Sequence, residues 1–248
     1  MDVRIAQRRR DIRSERWQRR WRRARIGLMI LLALAALAAL ERSPLVAIEQ
    51  VEVVGTERLE PREVLERAEV ELGSSTVRLR PAEVEARVAT MPLVRAATVR
   101  RLDPLTVQID VVERTPALRV QGRDTAVLLD RDGVVIDEAG GEDLPVVQVR
   151  APAPELGSRV GEYPAVANAH AVWQGLSGPL RASVVQYEAS GPDELTLWLT
   201  SGVEVAFGRA ERLDEKVRAL GAVLEDVGAT PVERVDVRAP RAPVVVGP

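Results

Sequence analysis

The period of apolar positions changes several times along the chain, and each change marks an element. Ile26–Leu40 (IGLMILLALAALAAL) is one continuous apolar run without a charge or a proline. As a helix its fifteen residues reach about 22 Å, against a hydrocarbon core of about 30 Å. The helix has room to continue through Glu41 and Arg42 before Pro44, and long arginine stems at its start can extend it. The pattern predicts a short membrane-spanning helix over 26–42. Ile48–Val54 then alternates as a half-buried strand does, and Gly55-Thr56 ends it. Pro61 opens a helical stretch (PREVLERAEV) whose stripe is Val64, Leu65 and Ala68. Pro81 opens another (PAEVEARVATM) with Val84, Val88 and Met91 on one face. Val94–Leu102 and Leu105–Val112 read as strands joined at Asp103-Pro104; Leu105, Val107, Ile109 and Val111 share one side of the second. The order predicts a small β-α-α-β-β module over 48–115, a three-stranded sheet covered by two helices.

Thr115-Pro116 marks a junction, and 116–248 is strand-rich. Strands are expected at Leu118–Gln121, Ala126–Asp130, Val134–Ile136, Leu144–Val149, Arg181–Glu188, Glu194–Thr200, Val203–Phe207, Glu233–Val237 and Pro243–Val246. Arg150–Tyr163, with two prolines, reads as a loop, and Pro164–Leu176 as an alanine-rich helix. Ala210–Val227 is the clearest helix of this part. Leu213, Val217, Leu220, Leu224 and Val227 lie at helical spacing, with Gly228 placed to cap it. The fold class is α+β: an N-terminal transmembrane helix, the small module, then a mixed β-rich domain with one long helix.

Charge adds an orientation. Arg4 through Arg25 carries eleven arginines against Asp2, Asp11 and Glu15, so the first 25 residues hold +8 and the remainder −10 of a net −2. A basic flank stays in the cytoplasm, which puts residues 1–25 inside and the body outside. Arg22, Arg23 and Arg25 can reach phosphate from the membrane edge, Trp17 and Trp21 sit at interfacial positions, and Ile26 to Leu40 bound the apolar core of the anchor. The same run also fits a cleavable signal segment with Ala36-Leu37-Ala38 as the small-x-small site, but 25 basic-rich residues are long for its leading region. An acidic body argues against nucleic-acid binding.

Candidate chemistry is sparse. Without cysteine there is no disulfide, thiolate metal site or thiol nucleophile, and the single histidine, His170, cannot build an ordinary zinc site. Asp130 and Asp132 beside Gly133 stand between two apolar runs, where Asp-Gly is a hairpin turn. Glu142-Asp143 is a solvated acidic tip, and Gly140-Gly141 lacks a phosphate-binding pattern. No catalytic, cofactor or metal residues and no small-molecule substrate are expected. Interaction surfaces remain. The last strand can lie at a sheet edge open to a partner strand, limited by Pro240 and Pro243, which lack donors. Lys216, the only lysine beside 34 arginines, sits beside the long helix's apolar stripe, so its ammonium is expected to face solvent or a partner's carboxylate.

The assembled layout resembles the FtsQ/DivIB family of bacterial cell-division proteins over essentially the whole chain. Val51-Glu52-Val53-Val54-Gly55 is similar to the V-x-V-x-G opening of the family's POTRA domain. Pro92–Arg101 with Leu102–Val107 resembles its P-x-V-x-x-A-x-V-x-R-x-x-P-x-x-L run, and Val112-Glu113-Arg114-Thr115-Pro116-Ala117 its V-x-E-R-x-P-x-A exit. Leu129–Val135, Leu144-Pro145, Gly208-Arg209, Lys216 and Val235-Asp236-Val237-Arg238 follow in the family's order. The resemblance implies a non-enzymatic, single-pass scaffold of the inner membrane at the division septum. Its partners would be FtsB- and FtsL-type proteins and other members of the division assembly. Lys216 and Arg238 would form salt bridges to the FtsB-type partner, and Val244, Val245 and Val246 would take a partner strand. Ala239-Pro240 after Arg238 departs from the family, where an aromatic often stands. The competing reading from POTRA modules at large is a docking or chaperone platform for envelope proteins.

Overall fold

Alternating and helical segments emerge in the expected order in a computed structural model, which describes residues 21–35, 46–228 and 230–247. Residues 21–35 form a helix, α1, exposed throughout and including Trp21, Arg22, Arg23, Arg25 and Ile26. Leu40, Trp17 and the rest of the expected 26–42 span beyond residue 35 lie outside the described residues. Among those described, no helix is long and apolar enough to cross a membrane. The remainder divides into two compact units. One comprises the described residues up to 54 with 61–85 and 98–110; the other comprises 55–60, 86–97 and everything from 111 onward.

The first unit is organised by a three-stranded sheet and two short helices. Its strands are β1 (Gln50–Val54), β2 (Val94–Arg101) and β3 (Thr106–Glu113), in the order β1-β3-β2. The outer ends of β2 and β3, and the last turn of the second helix (86–88), are counted with the second unit. β1 runs parallel to β3 in the register Gln50↔Thr106 to Val54↔Asp110. Helices α2 (Pro61–Ala68) and α3 (Pro81–Val88) each start on a proline, whose missing N–H has no partner to lose in a first turn. Val64 and Ala68 of α2 and Val84 and Val88 of α3 are buried, with Val107 and Ile109 of β3. Leu65 departs from the expected stripe: it is exposed, because in so short a helix the core takes only the i, i+4 pair. Asp103 makes the turn before β3 through its carboxylate, which accepts the N–H groups of Leu105 and Thr106.

The second unit is one nine-stranded sheet with helices on one face. Its strands are β4 (Pro116–Gln121), β5 (Ala126–Asp130), β6 (Val135–Glu138), β7 (Val146–Val149), β8 (Val184–Gly191), β9 (Glu194–Leu199), β10 (Glu204–Ala206), β11 (Arg234–Asp236) and β12 (Val244–Val246). They are ordered β12-β11-β10-β9-β8-β7-β4-β5-β6. The registers align Val120, Val147, Tyr187, Leu197, Val205 and Val235 in one row across six strands, all buried. That row packs in one core with Val166, Ala169, Val172 and Trp173 of α4 (Pro164–Gly175) and Leu220 of α6 (Leu213–Val227). Alternation turns Gln121, Gln148, Glu188 and Thr196 to the opposite face.

Two departures have local causes. The segment expected to open a strand at Arg181 is a short helix, α5 (Gly178–Ser183), and β8 starts at Val184. Arg181 is held there by the carbonyls of Trp173, Gln174 and Leu176, each at 2.8 Å, so it caps the end of α4 and stacks over Trp173. The long helix starts at Leu213 rather than Ala210, because Arg212 is left-handed at φ 51° and breaks the run.

Candidate partner-binding site

The two edges of the large sheet are unequal. Beside β6, Val135 donates its N–H to Ser158 and accepts from the N–H of Gly157, so that edge is covered by a loop. At the other end β12 pairs antiparallel with β11, and among the described residues nothing pairs with its outer side. Val244, Val245 and Val246 are 57%, 43% and 46% exposed. Pro240 and Pro243 both precede β12, so all three of its residues keep their N–H groups. An uncharged, donor-complete edge is a template for another strand.

Arg238 stands just past β11. Its side chain is 64% exposed, and its guanidinium forks onto Asp236, with Nε 3.0 Å from one carboxylate oxygen and 2.9 Å from the other. This hydrogen-bonded cation holds the Asp236 carboxyl below its ordinary range. Arg238 therefore reaches solvent already oriented, one face spent on its own strand.

Lys216 corrects the expectation that its ammonium faces outward. The residue is 5% exposed, and Nζ donates to the carbonyls of Phe207 (2.9 Å) and Arg209 (2.8 Å) while lying over the Phe207 ring. Burial pushes its pKa down. Gly208 between those carbonyls has φ 70°, and a Cβ there would meet Arg238 Cγ at 3.3 Å. Asn168 of α4 closes the same loop, donating to the Gly208 carbonyl and accepting from Ala210 N–H. Gly208, Lys216 and Arg238, scattered in sequence, are thus one packed corner beside the open edge. Arg209 turns away toward Asp193 at 2.8 Å.

Two more of the spaced residues acquire roles. Glu113 accepts the N–H groups of Glu57, Arg58 and Leu59. Burial alone would raise its pKa; those three donors hold it below the ordinary value. Arg114 pairs at 2.6 Å with Asp130, which is itself buried and accepts the N–H groups of Asp132 and Val134. The Asp-Gly turn is real, and Asp130 is its organiser, a role that sequence spacing alone did not separate from Asp132. His170 is buried, with Nε2 3.2 Å from the Arg131 carbonyl, and burial pushes its pKa down.

Residues 46–114 match a family model described as POTRA domain, FtsQ-type, and residues 117–238 one described as Cell division protein FtsQ/DivIB, C-terminal. Curated relatives agree. The cell division protein FtsQ of Streptomyces collinus is 31% identical over 228 residues, covering 89% of this chain and 85% of the relative. The chain belongs to the FtsQ/DivIB family. FtsQ of Mycobacteroides abscessus is 32% identical over 204 residues, and that of Mycolicibacterium smegmatis 33% over 206, each covering 82% of this chain. The aligned part spans 62% and 58% of those two proteins, less than two thirds of their length. In this FtsQ-family chain, the C-terminal match ends at Arg238, just short of β12.

Proposed function

We propose that the chain is a non-enzymatic scaffold of the division machinery, anchored by residues 26–42, with residues 1–25 in the cytoplasm and the two units outside. It recruits FtsB- and FtsL-type partners to the septum. The observation that carries this reading is the open β12 edge beside the preoriented, exposed Arg238. A partner strand adds to Val244–Val246, and a carboxylate on that partner meets Arg238, bidentate geometry being the strong form of such a contact. Lys216 acts through position, holding the loop that backs Arg238.

Co-purification from membranes tests it. Arg238→Glu should abolish capture of the FtsB–FtsL pair while leaving the fold intact; capture undiminished would defeat the assignment. In cells, a fluorescent fusion should form a ring at the division site. Uniform envelope signal, with loss of outer-membrane barrel proteins on depletion, would favour the docking-platform reading instead.

A further inference from the structure

The geometry points to a second docking site, in the first unit: a groove along the free edge of β1 that takes an extended basic peptide segment. Among the described residues β1 has one strand neighbour, β3. Gln50 donates its N–H to the Leu105 carbonyl at 3.2 Å, so in the paired register Gln50, Glu52 and Val54 address β3 with their backbones. Alternation turns the N–H and C=O groups of Val51 and Val53 the other way. A loop covers only the approach to this edge: Ile48 N–H donates to Ser74, and Gly73 and Thr76 donate to the carbonyls of Ile48 and Val46, each at 2.8 Å. Past Ile48, no described strand lies alongside.

The uncovered stretch borders a groove of about 400 Å³ whose apolar lining is Val51, Leu65, Val70 and Leu72. Leu65 and Leu72 are exposed, which a monomer has no folding reason to arrange side by side. Glu49, Gln50 and Glu52 complete the lining, and none of the described lining residues is basic. Those features select the occupant. Main-chain groups of a strand satisfy Val51 and Val53, its apolar side chains cover the two leucines, and its Arg or Lys side chains meet the two carboxylates. An acidic strand would face like charge. The occupant is a basic, alternating segment of another protein exposed on the same side of the membrane. This site is independent of β12.

The probes are two labelled pentapeptides, Val-Arg-Val-Arg-Val and Val-Glu-Val-Glu-Val, titrated by fluorescence anisotropy onto the full chain in nanodiscs. The basic peptide should bind at least about tenfold tighter. Glu49→Lys with Glu52→Lys should reverse the preference, and Val185→Lys, at an exposed position of the interior strand β8, should leave it unchanged. Hydrogen exchange on the unaltered chain should slow at Val51 and Val53 with the basic peptide. Equal affinity for both peptides, or slowing confined to other segments, would overturn the proposal.

Discussion

At the scale of the residue, Lys216 shows how spacing and environment part company. Helical spacing puts it beside the apolar stripe, and nothing in the sequence reveals that the loop around Gly208 curls its carbonyls onto the ammonium. Lys216→Met keeps the apolar stem but strands the carbonyls of Phe207 and Arg209. The expected cost is about 1–3 kcal/mol in urea unfolding; a solvent-facing lysine would cost less than about 0.5 kcal/mol. Glu113 carries a pH dependence. Its folded pKa lies below the ordinary 4.5, so its contribution is complete above that value and is lost as the pH falls through the lower folded value. Unfolding free energy should therefore drop less steeply on acidification below pH 4.5 in Glu113→Gln than in the parent chain, and parallel curves would contradict this. Its motif was legible as a string of letters; the three N–H groups it gathers from 57–59 were not, since they arrive from 54 to 56 positions away.

At the scale of the element, alternation located strands well where both faces have distinct neighbours. Ala126–Asp130 has the same bounds in sequence and structure. The strand expected from Arg181 starts only at Val184, because the Arg181 side chain caps α4. The turn after β1 requires glycine: Gly55 has φ 85°, and a Cβ there would collide with the Val111 carbonyl oxygen. Gly55→Ala should destabilise by about 1–3 kcal/mol, read from its thermal unfolding. β12 makes the opposite prediction. Val244→Lys and Val246→Lys, at exposed positions, should each shift stability by no more than about 0.5 kcal/mol. Together they should sharply reduce capture of the FtsB–FtsL pair, because charged edges resist strand addition. Loss of fold rather than of capture would show that β12 is a structural strand only.

At the scale of the whole molecule, the order of elements and the family were legible because each unit has its own period and its own punctuation by proline and glycine. The sheet's strand order was not, since β4 pairs with β7, and β10 pairs in parallel with β11 across the long helix. The open edge follows from that order alone: the last strand reaches the rim because β11 enters beside β10 and leaves one side vacant. The proposed membrane orientation makes its own prediction. A reporter fused after Pro248 should be active only outside the cytoplasm.

The absence of native cysteine permits the most direct test of strand addition at β12. Single cysteines at Val245, on the rim, and at Val185, exposed on an interior strand, are paired in living cells with single-cysteine variants along the FtsB-type partner. Strand addition at β12 should give a mixed disulfide at Val245→Cys, repeating at every second partner position, and none at Val185→Cys. No bond from Val245→Cys to any partner position, or equal bonding from both sites, would contradict it.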